Sequence, residues 1–297
     1  MTPEILECLR AAGRVASEVR RLGAARIVPG ARLRDVCEEI EAEIVGRGAA
    51  VAFPVQTSRN EIAAHYCPGP DEETRYENGD LAKLDIGVHV DGWVVDTAVT
   101  VNVGDLPENR VFIDAAEAAL TAAIGTARAG VRVREVSAAI ERTLDAHRLR
   151  PMRNLCGHGV GRFIVHSAPP IPNSPEPTDV TLAEDAVVAI EPFATDGHGL
   201  VGERGAAEVF RVDPDRLDPG GLDVRMVGAL LAFRGLPFAR RQLRGFPPGL
   251  VESALHALRQ RGQLTSYPPL VERSGRKVAQ AEHTLYLGRS GTEVLTR

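Results

Sequence analysis

The chain has 297 residues, of which 44% are hydrophobic, and its 35 basic and 40 acidic side chains leave a formal net charge of -5. This length and composition predict a globular protein with a substantial apolar core. The acidic balance, with no arginine-rich block and interleaved aromatic residues, argues against specific nucleic-acid binding. No segment reads as a signal peptide or reaches membrane-spanning length, so we expect a cytoplasmic protein without a membrane partner. The four cysteines show no CxxC spacing, which indicates neither a zinc ribbon nor a disulfide framework.

Periodic apolar patterns predict helices followed by antiparallel strands in each half of the chain. The first helix has Thr2 as its N-cap and Pro3 at its first position, and an Asp91-Gly92 pair predicts a hairpin turn. Helical patterns separated by Gly and Pro turns predict a helical subdomain at 209–266, inserted into a single domain, 1–297. The predicted helices cover residues 3–22, 32–46, 108–128 and 133–148, and the predicted strands cover residues 81–90, 93–103, 186–194 and 278–288.

The chain repeats itself at an offset of about one hundred residues. Residues 29–44 resemble residues 129–144 in their glycine, arginine and apolar positions. Further along, His65 and the proline three residues after it align with His166 and the proline that follows that histidine. Matches in the same order predict an α+β fold of two similar halves about a pseudo-twofold axis, with functional residues between them.

Two carboxylates lie in the apolar, β-branched stretch KLDIGVHVDGWVVDTAVTV, at Asp85 and Asp96. An ionised carboxylate in such a setting costs several kcal/mol unless it is paired or coordinated. Three further candidates follow: His158 between two glycines that would let the backbone approach a metal, Glu191 in AVVAIEPF, and Glu282 in KVAQAEHTLYL. Four carboxylates and one imidazole suit two divalent metals better than one structural zinc. The alternative is a structural network of ion pairs with arginines.

Five segments resemble type II methionine aminopeptidases of the archaeal and eukaryotic kind: NEIAAHYCP, LDIGVHVDGWVVDTA, GHGVGRFIVH, AIEPFAT and YPPLVERSGRKVAQAEHT. The resemblance implies the pita-bread fold, in which two pseudo-symmetric α+β halves surround an antiparallel sheet, with a late helical insertion. It also implies removal of the initiator methionine from nascent chains by an enzyme with two divalent ions, Mn, Fe, Co or Zn. N-terminal peptides of nascent chains are then the partners, and the ribosome is expected nearby.

The resemblance also assigns roles to individual residues. The implied metal ligands are Asp85, Asp96, His158, Glu191 and Glu282, with Asp96 and Glu282 bridging the two ions. The implied catalytic residues are His65, His166 and Glu191, of which the two histidines also line the substrate site and Glu191 moves a proton. The implied methionine pocket consists of Phe53, Val165 and Tyr267.

Two other functions are compatible with the same fold. Xaa-Pro peptidases of the prolidase and aminopeptidase P kind share the ligand set, but they usually carry an additional N-terminal domain. Non-catalytic relatives act as binding proteins after losing ligands. The presence of all five ligand positions argues against that second class.

Overall fold

The computed structural model describes all residues, 1–297, and contains helices and mainly antiparallel strands in alternation. The six α-helices are α1 Pro3–Arg26, α2 Leu33–Gly46, α3 Arg110–Thr126, α4 Val133–Ala146, α5 Val224–Ala232 and α6 Pro248–Gln260. The strands are β1 Ala50–Arg59, β2 Ile62–Ala64, β3 Leu81–Val90, β4 Trp93–Asn102, β5 Arg150–Pro151, β6 Cys156–Gly161, β7 Ile164–Pro172, β8 Ala186–Ile190, β9 Phe193–Thr195, β10 Val201–Glu203, β11 Val209–Val212, β12 Phe238–Ala239, β13 Leu264–Tyr267, β14 Leu270–Glu272, β15 Val278–Gln280, β16 His283–Gly288 and β17 Gly291–Val294.

The β3–β4 hairpin forms as its sequence predicts. The two strands pair in continuous antiparallel register from Leu81 opposite Asn102 to Val90 opposite Trp93. Asp91 and Gly92 both have positive φ, 49° and 84°, which a two-residue turn of the right twist requires. The hairpin lies in a three-stranded sheet of order β1-β3-β4.

The two predicted halves are present, each with two helices packed on a sheet. The first half has α1 and α2 with the β1-β3-β4 sheet, and the second has α3 and α4 with a five-stranded sheet of order β17-β16-β8-β6-β7. Gly30 and Gly130 show the equivalence in detail. Both have positive φ, 85° and 83°, and each donates its N–H at 2.8 Å, to Tyr76 O and Leu182 O respectively. The repeat in the sequence is therefore a repeat of structure.

Two of the predicted strands are shorter than expected. The predicted strand 186–194 is interrupted at Glu191 and Pro192, and the predicted strand 278–288 is interrupted at Ala281 and Glu282. Proline has no N–H to donate to the ladder, which ends β8. At the second break, Glu282 N donates instead to Ala98 O of β4, at 3.1 Å. Both interruptions therefore fall at predicted metal ligands. At each one the chain passes between the β8–β16 pair and the β9–β15 pair.

The segment 209–266 is not helical throughout. It contains α5 and α6, but also a small sheet of order β12-β11-β13, which the sequence interpretation did not include. Its apolar side chains form a core of their own around Phe210, Met226 and Leu258. Across the whole chain, no helix combines the length with the apolar character that a membrane-spanning helix needs.

Candidate metal centre

One cavity of about 210 Å³ collects all the site residues predicted from the sequence. It lies where the β1-β3-β4 sheet meets the strands of the second half, and the insertion closes one side through Val209 and Pro237. The cavity is lined by the ten predicted residues Phe53, His65, Asp85, Asp96, His158, Val165, His166, Glu191, Tyr267 and Glu282.

Asp85 and Asp96 lie on the same face of the β3–β4 hairpin. Asp85 is opposite Ala98 in the register, and Asp96 is opposite Gly87, so the two carboxylates are diagonal neighbours. Phe53 of β1 is paired with Gly87, and its ring occupies the space that a Cβ at Gly87 would take. The hairpin thus presents two carboxylates beside an aromatic wall.

The other candidate ligands come from the second half and converge on Asp96. Ligand atoms of Asp96, His158 and Glu282 all lie within 4.8 Å of one another. His158 Nε2 is 3.6 Å from Asp96 Oδ2 and 3.8 Å from Glu191 Oε1. Three of the five predicted ligands therefore form one cluster, and Asp85 and Glu191 flank it.

Threonine hydroxyls hold the two halves together beneath this cluster. Asp96 N donates to Thr284 Oγ1 at 2.7 Å, and Thr284 Oγ1 donates to Asp96 O at 2.7 Å. Thr97 Oγ1 donates to Glu282 O at 2.9 Å. These bonds replace the regular ladder between β4 and β16, and they fix the backbones that carry Asp96 and Glu282.

The buried carboxylates have oxygens that no donor of the protein satisfies. Asp85 Oδ1, Asp96 Oδ1 and Glu282 Oε1 are buried and have no hydrogen-bond partner. Burial and the neighbouring carboxylates raise the pKa of Asp96, Glu191 and Glu282 well above the ordinary range, and burial raises that of Asp85 to about 7. Acceptors without donors, in an oxygen-rich set with one imidazole, fit a divalent cation.

The imidazoles of the cavity are neutral at physiological pH. Burial, and after it the proximity of the His166 imidazole, lower the pKa of His158 to about 3 and that of His65 to about 4. Burial, with the charge of Arg211, also lowers the pKa of His166. A neutral imidazole has one nitrogen free to bind a metal or accept a proton, and one N–H to donate.

His65 and His166 both line the cavity. His65 belongs to the first half of the chain and His166 to the second. The ring of His166 makes an edge contact with that of His158, at 4.3 Å between centroids. The ring of His65 makes an edge contact with Tyr267, at 5.8 Å. His65 has a positive φ of 65°, an uncommon conformation for a residue with a side chain, and one that is enriched at functional sites.

Comparison with known proteins places the chain in a family. The sequence model of metallopeptidase family M24 matches residues 7–219. The chain belongs to this family. A methionine aminopeptidase of Archaeoglobus fulgidus is 39% identical over 302 positions, with 100% of both chains covered. One of Thermococcus kodakarensis is 43% identical, with 98% of this chain and 99% of the relative covered.

The fold comparison agrees with the architecture. The crystal structure of methionine aminopeptidase from Thermotoga maritima has a TM-score of 0.74 to this M24 chain at 23% sequence identity, and covers 100% of this chain and 98% of that chain. The predicted pita-bread α+β fold is therefore confirmed.

Two polar residues at the candidate site escaped the sequence interpretation. Gln280 Nε2 lies 3.3 Å from both Glu191 Oε2 and Glu282 Oε2, so it orients two carboxylates at once. Gln56 is paired with Asp85 in the β1–β3 register and lines the cavity. The spacing of Gln280 and Glu282, two residues apart near a strand, was the signal available for the first of them.

The glycines on either side of His158 lie where neighbouring strands pack closely on β6. A Cβ at Gly157 would lie 2.3 Å from Ala189 O of β8, and one at Gly159 would lie 2.4 Å from Ala168 O of β7. The glycines therefore allow the neighbouring strands to approach β6 closely. That they also let the backbone approach a metal stays a prediction.

Replacing Thr284 by valine tests the seam between the halves. Thr284→Val keeps the side-chain volume but leaves the buried backbone N–H and C=O of Asp96 without the hydroxyl that pairs with both. We therefore expect the free energy of unfolding to fall by about 2 kcal/mol. Urea denaturation of the chelated protein measures this. Thr121→Val is the matched control, because the Thr121 hydroxyl bonds Glu117 O within an exposed helical turn. Equal stability of Thr284→Val and wild type would contradict the role of the seam.

Proton release on metal binding tests the raised carboxylate pKa values. Burial raises the pKa of Asp85 to about 7, and the pKa values of Asp96, Glu191 and Glu282 are raised well above the ordinary range, so near pH 6 a divalent ion must displace protons from these carboxylates. Metal affinity should therefore rise with pH. Calorimetric titration with Mn²⁺ in two buffers of different ionisation enthalpy should report the release of about one proton or more per chain. Heats that do not depend on the buffer would contradict the pKa direction.

Proposed function

We propose that this M24 chain is a methionine aminopeptidase of the type II kind, which removes the initiator methionine from nascent proteins in the cytoplasm. The observation that carries the proposal is the convergence of all five ligand positions and both histidines on one cavity. Identity of 39% to 43% over essentially the whole length of methionine aminopeptidases supports it. We also propose that residues 1–297 act as one catalytic domain, since the insertion supplies part of the cavity wall.

The carboxylates Asp85, Asp96, Glu191 and Glu282 and the imidazole of His158 would hold two divalent ions. Ions held there supply Lewis acidity, which polarises a peptide carbonyl and makes water more acidic. The raised pKa of Glu191, which follows from burial and from Asp96 and Asp85, suits it to take up and return a proton. Gln280 keeps Glu191 and Glu282 oriented toward the cavity through its amide N–H groups.

The histidines act on the peptide. The neutral ring of His166, next to His158, can donate an N–H to the carbonyl oxygen or amide of the scissile bond, where negative charge develops. His65, held against Tyr267 on a constrained backbone, positions the N-terminal residue. Neither role requires a protonated imidazole, which agrees with the lowered pKa values of both residues.

An apolar wall beside the ligands suits an unbranched side chain. Phe53 and Val165 are 4% and 6% exposed, and with Tyr267 they line the cavity next to the carboxylates. A flexible thioether fills a slot of this kind well. We assign these three residues to the methionine pocket.

Phe53→Ala tests the pocket. Loss of the ring should lower kcat/KM for methionine peptides by about tenfold to a hundredfold and reduce the preference for methionine over leucine. Val55→Ala is the control, because Val55 is fully buried on the same strand but does not line the cavity. Both variants should lose stability, but only Phe53→Ala should change the methionine-to-leucine ratio. An unchanged ratio in Phe53→Ala would remove Phe53 from the pocket.

The substrate class is tested by peptide cleavage. The chelated protein, reloaded with manganese, cobalt, iron or zinc, is offered Met-Ala-Ser and an Xaa-Pro dipeptide in parallel. Release of methionine from the first, with little cleavage of the second, is expected. Preferential cleavage of the Xaa-Pro peptide would favour the prolidase function, and cleavage of neither would favour a binding protein.

A further inference from the structure

A second cavity of about 210 Å³ adjoins the metal centre on the far side of His166. It shares four lining residues with the first cavity, Val165, His166, Pro237 and Tyr267. The two cavities therefore adjoin at these four residues. Given the proposed function, the first cavity holds the N-terminal residue, so a peptide that continues past His166 from the scissile bond would enter the second cavity.

Arg211 brings a positive charge to the second cavity. It is held there because its Nε donates to Gly235 O at 2.8 Å, and Gly235 has a positive φ of 82°. No carboxylate of the protein forms an ion pair with Arg211. By contrast, Arg162, which precedes His166 in the sequence, is paired with Asp91 at 2.9 Å. The other lining residues of the cavity carry no negative charge.

Arg211 lies beside the boundary between the two cavities. It lines the second cavity together with His166 and Tyr267, and these two residues also line the first cavity. The guanidinium charge opposes the burial that raises the pKa of Tyr267. A peptide that crosses this boundary therefore passes the guanidinium.

We infer that the second cavity receives the part of the peptide that follows the scissile bond, and that Arg211 makes the enzyme favour acidic over basic side chains there. This inference rests on the proposed function. An aspartate or glutamate of the substrate supplies the counter-charge that the protein does not provide, and a lysine is repelled. Partial exposure and salt screening keep the effect modest.

Amidated peptides that differ at one position measure this selectivity. Met-Ala-Asp, Met-Ala-Ala and Met-Ala-Lys, each with a C-terminal amide, are compared by kcat/KM with the metal-loaded enzyme. We expect wild type to cleave the aspartate peptide about fivefold more efficiently than the lysine peptide. The ratio should fall toward one when ionic strength rises to about 0.5 M, because salt screens the partly exposed charge.

Variants assign the selectivity to Arg211. The aspartate-to-lysine ratio should fall to near one in Arg211→Gln and be largely kept in Arg211→Lys. Arg259→Gln, which removes an exposed charge from α6 outside both cavities, should keep the wild-type ratio. Arg234→Gln controls for the second nearby guanidinium, which lies 4.0 Å from the centroid of the Phe163 ring.

Each outcome decides the inference. A wild-type ratio near one, a ratio that does not change with salt, or a ratio kept in Arg211→Gln, whether or not it is lost in Arg234→Gln, would overturn it. If Met-Ala-Ala amide is cleaved in those cases, the proposed function stands and only the assignment of Arg211 fails. If that peptide is cleaved with none of the four metals, the proposed function fails and the inference falls with it.

Discussion

Asp96→Asn should abolish peptide cleavage while leaving the chain folded. The substitution keeps the side-chain volume but removes the negative charge at the centre of the cluster with His158 and Glu282. Mutation of residues that merely support metal ligands lowers metal affinity or activity by about 10- to 100-fold. Loss of a central ligand should therefore lower activity by more than about a hundredfold. Because burial, Glu282 and Asp85 raise the pKa of Asp96, the metal-free variant should be at least as stable as wild type.

Asp91→Asn is the control for this result, since Asp91 lies on the turn of the same hairpin, is exposed and pairs with Arg162. It should keep activity within about twofold, as surface substitutions away from a site usually do. Thermal denaturation with and without chelator and a metal-dependence curve complete the measurement. Activity above a few percent of wild type in Asp96→Asn at saturating metal would refute the assignment of Asp96 as a shared ligand.

His166→Ala should lower kcat by about a hundredfold to a thousandfold, the usual cost of removing a hydrogen-bond donor to a developing oxyanion. Metal affinity should change little, because His166 is not among the proposed ligands and only makes an edge contact with the proposed ligand His158. The separation of kcat from metal affinity distinguishes a catalytic residue from a structural one. Steady-state kinetics and a metal titration of the same preparation provide both numbers.

His89→Ala is the matched control for His166. His89 is also partly buried with a lowered pKa, caused first by burial, but its ring packs on Phe163 and does not line the metal-centre cavity. We expect its kcat to stay within a few-fold of wild type. A large fall in metal affinity of His166→Ala, with kcat unchanged at saturating metal, would contradict the role given to His166.

Local patterns were sufficient to predict the hairpin that carries Asp85 and Asp96 of the candidate site. Alternating apolar residues around an Asp-Gly turn predict the β3–β4 hairpin, and the cost of buried charge singles out Asp85 and Asp96. The long helices were also predicted, though α1 extends to Arg26 rather than residue 22.

The missed features depend on contacts between distant residues. Thr284 bonds the backbone of Asp96 from 188 residues away, and nothing in the local sequence of either marks that seam. The small sheet in the insertion escaped prediction because β12 has only two residues, too few for a periodic pattern, and its pairing with β11 forms only in the fold. The contact of Gln280 with Glu191, 89 residues away in sequence, exists only in the folded chain, where Gln280 lies beside both Glu191 and Glu282.

The most direct test of the central claim is the release of free methionine from Met-Ala-Ser by the chelated chain before and after addition of Mn²⁺, Co²⁺, Fe²⁺ or Zn²⁺. Metal binding to the same preparation is measured by calorimetry. We predict no release before addition, and turnover afterwards that rises with binding and saturates near two ions per chain. Cleavage in excess chelator, or no methionine release with any of the four metals despite binding, would contradict the account.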